Sequence, residues 1–175
     1  MEESTNNVTV RSVGIRYGLI LAFAGIIMFL IFMITGVDMS GNARWISFPI
    51  YIVIVFLAHK YFKDNGDGFM TFGQGVGIAF WMGLLSSIIS SIFTYFYLKV
   101  IDGSMIQQIM DKQIETLQEK GMSDEQIDQA MKISAPFMSA EAMLIFGIVF
   151  GIIFIVITGL IVSIFTQKRN PEPTF

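Results

Sequence analysis

The chain has 175 residues, of which 54% are hydrophobic and only 14% charged, with a mean hydropathy of +0.66. A soluble domain carries about 25% charged residues, so a water-facing fold of this composition would expose a greasy surface and aggregate. With 14 acids against 11 bases and no basic run, disorder and nucleic-acid binding are both poor fits, and no nucleic-acid partner is expected. The absence of cysteine removes disulfides, thiolate catalysis and Cys-ligated metals, and the single histidine, His59, cannot form a histidine cluster. Lipid, rather than a large core, can absorb the apolar surface, so the composition predicts one multi-pass membrane domain over residues 1–175.

Four apolar stretches follow in chain order. The first, 17–37, carries no charge between Arg16 and Asp38. It is too long for the ~7–15-residue apolar core of a signal peptide, and no A-x-A cleavage site follows, so it reads as a retained anchor. The second, 45–62, is shorter and needs Arg44 and Lys60 to snorkel from its ends. Pro49 falls in its first turn, where a missing N–H costs little. The alternative for this segment is a re-entrant hairpin. The third, 72–98, and the fourth, 142–167, exceed the ~20 residues needed to cross a hydrocarbon layer.

The connection 103–135 reads as a helical hairpin. Met105, Ile106, Ile109, Met110, Ile114 and Leu117 recur at helical spacing. Gly121 suits the end of that helix. Ser123 and Gln126 have the spacing of a capping box, and Ile127, Ala130 and Met131 share one face of the helix it would open. Pro136 breaks that helix, and Ser139 can cap the fourth span. The 170–175 tail, with two prolines, is expected to be disordered.

Basic residues near the span ends set orientation. Arg11, Arg16, Lys60, Lys63, Lys168 and Arg169 lie on one side, and Arg44, Lys99, Lys112, Lys120 and Lys132 on the other. Three of the latter belong to the long connection, where eight acids oppose three lysines. Both termini are therefore expected in the cytoplasm, with the hairpin outside. An acidic hairpin is a poor anchor for anionic headgroups. Its apolar stripe could fold back on the bundle, pair with a second copy, or dock on another membrane protein.

The strongest pattern lies inside the spans. Gly75, Ala79, Gly83, Ser87 and Ser91 form one row at steps of four, widened by Ser86, Ser90 and Thr94. The fourth span carries Gly147, Gly151, Gly159 and Ser163 on such a row, interrupted by Ile155, and the first carries Gly14, Gly18 and Ala22. In lipid, helices associate through close backbone approach rather than apolar burial, and small residues permit that approach. Ordinary bundle packing is the leading reading of these rows. Pairing of two copies and a groove for a lipid tail or substrate are the alternatives.

The apolar parts of the spans contain no ionisable group, which disfavours intramembrane proteolysis and proton-coupled transport. A carrier of a neutral or lipidic solute stays open, if the serines of the third span face a gap. His59, at a span end, reads as an interfacial residue. The Asp64–Gly68 stretch has the residues of a tight turn, and twelve positions from Asp64 lead to Gly75 rather than to the Glu an EF-hand needs. The glycines at 73, 75 and 77 lack the partners of a phosphate loop and are better explained by packing. No catalytic residue, cofactor site or metal site is expected, and the chain is read as non-enzymatic.

The stretch Phe69-Met70-Thr71-Phe72-Gly73-Gln74-Gly75, with Gly121–Ile127 and the Gly159–Ser163 run followed by Lys168-Arg169, resembles an uncharacterised bacterial family, "domain of unknown function 4199". The resemblance covers nearly the whole chain. It implies a four-span integral membrane protein with no assigned activity, catalytic residue or cofactor. Together these readings give an all-α membrane four-helix bundle with an external amphipathic hairpin. Its expected partners are the lipid bilayer and a second copy or another membrane protein at 103–135.

Overall fold

A computed structural model describes residues 8–36 and 45–170. The chain is all-helical, with six α-helices and no strand among the described residues. They are α1 (Val10–Thr35), α2 (Ser47–Asp64), α3 (Phe72–Phe96), α4 (Ser104–Glu119), α5 (Asp124–Ser134) and α6 (Ala140–Thr166). A π-helical turn, Tyr97–Ile101, continues α3, and a 3-10 turn, Ala135–Met138, precedes α6. Three segments are long and apolar enough to cross a membrane: Val10–Thr35, Phe72–Ile101 and Ala140–Thr166. Helix α2 is not among them; its last turns carry Lys60, Lys63 and Asp64. Arg44 and the tail beyond Asn170, both given roles above, lie outside the described residues.

Local signals fix the helix ends. Helix α1 starts well before the apolar run because Thr9 and Ser12 form a reciprocal cap: each side chain accepts the other's backbone N–H at 3.0 Å. It therefore carries Arg11 and Arg16 on helical backbone. Helix α3 opens on a similar pair, with Thr71 N–H donating to Gln74 Oε1 at 2.7 Å and Gln74 N–H to Thr71 Oγ1 at 3.2 Å. Ser123 and Gln126 cap α5 in the same way. The Ser139 hydroxyl accepts from Ala142 N–H at 3.2 Å. At the end of α4, Gly121 N–H donates to Gln118 O and Met122 N–H to Leu117 O, at 2.8 and 3.3 Å. This double closure requires left-handed backbone at Gly121, whose φ is +74°.

The chain forms two compact units. The first comprises Met1–Ser90 and Phe150–Phe175. Its core is built from Val13 and Leu21 of α1, Val55 and Ala58 of α2, Ile78 and Met82 of α3, and Ile155 and Val162 of α6. Arg16 donates to the Tyr61 hydroxyl at 2.7 Å, tying α1 to α2. Met70 and Lys168 exchange a pair of backbone hydrogen bonds of 2.8 Å, which holds the start of α3 against the end of α6. The loop 64–68 is a turn: Asp67 Oδ1 accepts from Phe69 N–H at 3.0 Å, and Gly68 has φ +81°.

The second unit is Ser91–Val149. Within it α4 packs on α5 and on the 3-10 turn. The apolar stripe of α4 is half-buried, and Ile127 of α5 is buried. Lys99 and Glu141 pair at 2.8 Å across the bases of α3 and α6.

The exposed surface is not that of a soluble protein. Phe23, Ile34, Phe150 and Phe165 are 62–85% exposed, with many other large apolar side chains of the long helices beside them. Apolar surface on that scale marks contact with lipid or protein.

Candidate functional site

The two small-residue rows meet each other. Helices α3 and α6 run antiparallel, so a step of four forward on α3 is matched by a step of four back on α6. In the first unit Gly75 faces Ser163, Ala79 faces Gly159, Gly83 faces Ile155, and Ser87 faces Gly151. In the second unit Ser91 faces Gly147. The approach is close enough that a Cβ at Gly159 would overlap Ala79 Cβ, and one at Gly151 would overlap the Ser87 hydroxyl. Of the eight residues read from the sequence as packing residues, six make such contacts within the first unit and two, Ser91 and Gly147, within the second. Ile155, the interruption in the α6 row, stands where α3 offers Gly83.

The α1 row packs on a different face of α3. A Cβ at Gly14 would overlap Trp81 Cβ, and one at Gly18 would come within 3.2 Å of Met82 Cα. Ala22 is fully buried. Of the glycines that open α3, Gly75 meets Ser163 and Gly77 meets Val10, whereas Gly73 faces open space. Ser87 and Ser91 of α3 face glycines rather than a gap, and Ser86 is buried, its Oγ 3.4 Å from Gly83 O of its own helix.

His59 faces neither solvent nor the outer surface of the helices: it is fully buried and joins three helices. Its Nδ1 lies 2.8 Å from Thr166 Oγ1 of α6, and its Nε2 lies 3.0 Å from Gly75 O of α3. A carbonyl can only accept, so Nε2 carries a hydrogen, and in the neutral ring Nδ1 accepts from the Thr166 hydroxyl. That hydroxyl also lies 2.8 Å from Val162 O, so one proton serves two acceptors. Lys63 Nζ donates to Thr166 O at 2.9 Å. Ser163 Oγ, buried beside Gly75, has no hydrogen-bond partner among the described residues. The sequence signal that was available is helical phase. His59 follows Val55 by four residues and precedes Phe62 by three, both buried, while Lys60 falls on the exposed side.

Helices α2 and α6 run parallel, since Phe48 meets Phe154 at one end and His59 meets Thr166 at the other. Between them lies a groove of about 370 Å³. Phe48, Val53 and Phe56 form one wall, and Thr158, Phe165 and Thr166 are among the residues of the other. Among the described residues the two threonines are its only polar lining, and Thr158 bonds back to Phe154 O at 2.9 Å. The groove suits a hydrocarbon and offers no charge along its length.

The described residues thus form an all-helical chain with three helices long and apolar enough to cross a membrane, a glycine–serine seam and a buried histidine staple. The sequence model of the family described as "Protein of unknown function (DUF4199)" matches residues 16–168. The chain belongs to that family. No curated protein and no solved structure matches it.

Proposed function

We propose that the chain is a four-span protein of the bacterial inner membrane that is not an enzyme and acts through contact with lipid or with another membrane protein. In this reading α1, α3 and α6 cross fully, α2 crosses with its lysines at the cytoplasmic surface, both termini are cytoplasmic, and 103–135 lies outside. The seam between α3 and α6 is the observation that carries it. A glycine-and-serine contact is the association mode expected where burial of apolar surface gives no drive, and the opposite faces of these helices present large apolar side chains.

Topology is tested by reporters fused at Gly121 and after Arg169. An external Gly121 reporter and a cytoplasmic Arg169 reporter support the arrangement, and the same side for both overturns it. A partner-binding role predicts that deleting 105–133 abolishes co-purification of the partner while the spans stay folded.

A second reading, a small carrier, draws on the α2–α6 groove. Its apolar lining favours a lipidic solute over a polar one. Uptake or flip of a fluorescent lipid by proteoliposomes, beyond that of protein-free vesicles, tests it.

A further inference from the structure

The two ends of the α2–α6 groove differ. The Phe48 end is aromatic, with the Trp45 ring 6.3 Å from that of Phe48. The Thr166 end is cationic. Lys60 follows Phe56 by one helical turn and so shares its face of α2. Lys63 Nζ, bonded to Thr166 O, stands at the end of the groove itself. An ammonium has three donors, and this contact uses one. Lys168 and Arg169 follow the end of α6, against Asp64 and Asp67 in the turn after α2. The bases outnumber the acids there, and Lys60 is exposed.

An apolar slot closed by cations at one end complements one kind of molecule, a hydrocarbon chain with an anionic head. The slot's volume of about 370 Å³ is within the range of ligand sites, roughly 300–1,000 Å³. It is open along one side, since Val53 is 54% and Phe165 82% exposed, so a chain can enter laterally from a bilayer. We propose that this groove holds one acyl chain of an anionic phospholipid, with the phosphate bound by Lys60 and Lys63. The proposal rests on the reading of the chain as a bilayer protein with α2 in contact with lipid. A zwitterionic lipid would fill the slot equally well but would gain less from the lysines. Each near-surface lysine favours an anionic headgroup about five-fold.

The test is native mass spectrometry of the full chain released from vesicles of equimolar phosphatidylcholine and phosphatidylglycerol. The wild-type chain is expected to retain one phosphatidylglycerol roughly 25-fold more often than one phosphatidylcholine, about five-fold for each of the two lysines. Lys60→Gln should reduce that ratio about five-fold, and Lys60→Gln with Lys63→Gln should bring it to parity. Val53→Trp, which fills the slot from its exposed side, should lower retention of both lipids. Lys60 and Val53 are both exposed, so the single variants are expected to stay folded; the double variant also removes the Lys63 bond to Thr166 O, and all three are checked by the melting midpoint in detergent. Equal retention of the two lipids by the wild-type chain overturns the proposal, as does a preference that survives the double substitution. So does a groove occupied by a second copy, seen as a dimer that Val53→Trp dissociates. In each of those cases the bilayer reading stands. A chain that is compact and monomeric without detergent would overturn the bilayer reading itself.

Discussion

Ile155 of α6 sits directly across from Gly83 of α3. A Cβ built on Gly83 would lie 3.2 Å from Ile155 Cβ and 3.3 Å from Ile152 O. The bulkiest side chain of one row is thus received by the smallest residue of the other, and the helices keep their close approach without a break. Ile155 is 5% exposed and belongs to the buried core.

That pairing sets the first prediction. Gly83→Ile places two branched side chains where the backbone allows one, and overpacking typically costs about 1–3 kcal/mol. The expected outcome is a lower melting midpoint in detergent. Gly83→Ile combined with Ile155→Gly moves the bulk to the other helix and should recover part of the loss. Equal destabilisation by the single and double variants would show that the two positions do not share one space. A Gly83→Ile protein with unchanged stability and oligomeric state would show that the stripe is not a packing surface.

The chain has no cysteine, so an introduced pair reports geometry without background. A Cβ on Gly147 would lie 3.5 Å from Ser91 Cβ, within the ~3.5–4.5 Å that a disulfide spans. Ser91→Cys with Gly147→Cys should close within one chain on mild oxidation, giving a faster-migrating monomer on non-reducing gels. If the seam instead pairs two copies, the same variant forms a covalent dimer. The experiment therefore separates the two readings of the small-residue rows.

The rows were legible because a period of four survives in sequence; their mating was not, since sequence carries each helix's face but not the register between faces. The interruption at Ile155 was the available clue, and it has meaning only once Gly83 is known to oppose it. Helices α4 and α5 were legible for a different reason: Ser123, Gln126 and Gly121 are local signals that do not depend on tertiary context. The burial of His59 was not legible, for the converse reason. Its neighbour Lys60 marks an interface, and only the packing of α3 and α6 on α2 shows that the two side chains face opposite environments. Helix α1 begins before the apolar run because hydropathy locates where a helix can enter lipid, whereas Thr9 and Ser12 determine where it begins.

The histidine staple yields a graded prediction. Removing one partner from a buried polar pair leaves the other unsatisfied, at a cost of about 1–3 kcal/mol. Thr166→Ser keeps a hydroxyl and should be nearly neutral. Thr166→Val removes the hydroxyl opposite His59 Nδ1 and should destabilise. His59→Ala removes both contacts, opens a cavity among α2, α3 and α6, and should destabilise most. The order of detergent melting midpoints, wild type and Thr166→Ser above Thr166→Val above His59→Ala, checks it. An unperturbed His59→Ala would mean that the histidine is not a structural link.

Gly121 offers a test confined to the second unit. Its left-handed backbone lets two carbonyls at the end of α4 be satisfied at once. No atom lies within 4 Å of a Cβ built there, so a side chain meets no clash and only the conformational penalty remains. For a non-glycine residue that penalty is about 1–2 kcal/mol. Gly121→Ala should therefore speed amide exchange at Gly121 and Met122 and along the last turn of α4, while leaving the α3–α6 seam and the His59 contacts unchanged. Gly121→Asn should cost less than Gly121→Ala, because asparagine tolerates this conformation through local hydrogen bonding. If alanine and asparagine behave alike, the strain at this turn is relieved by the loop rather than borne by the residue.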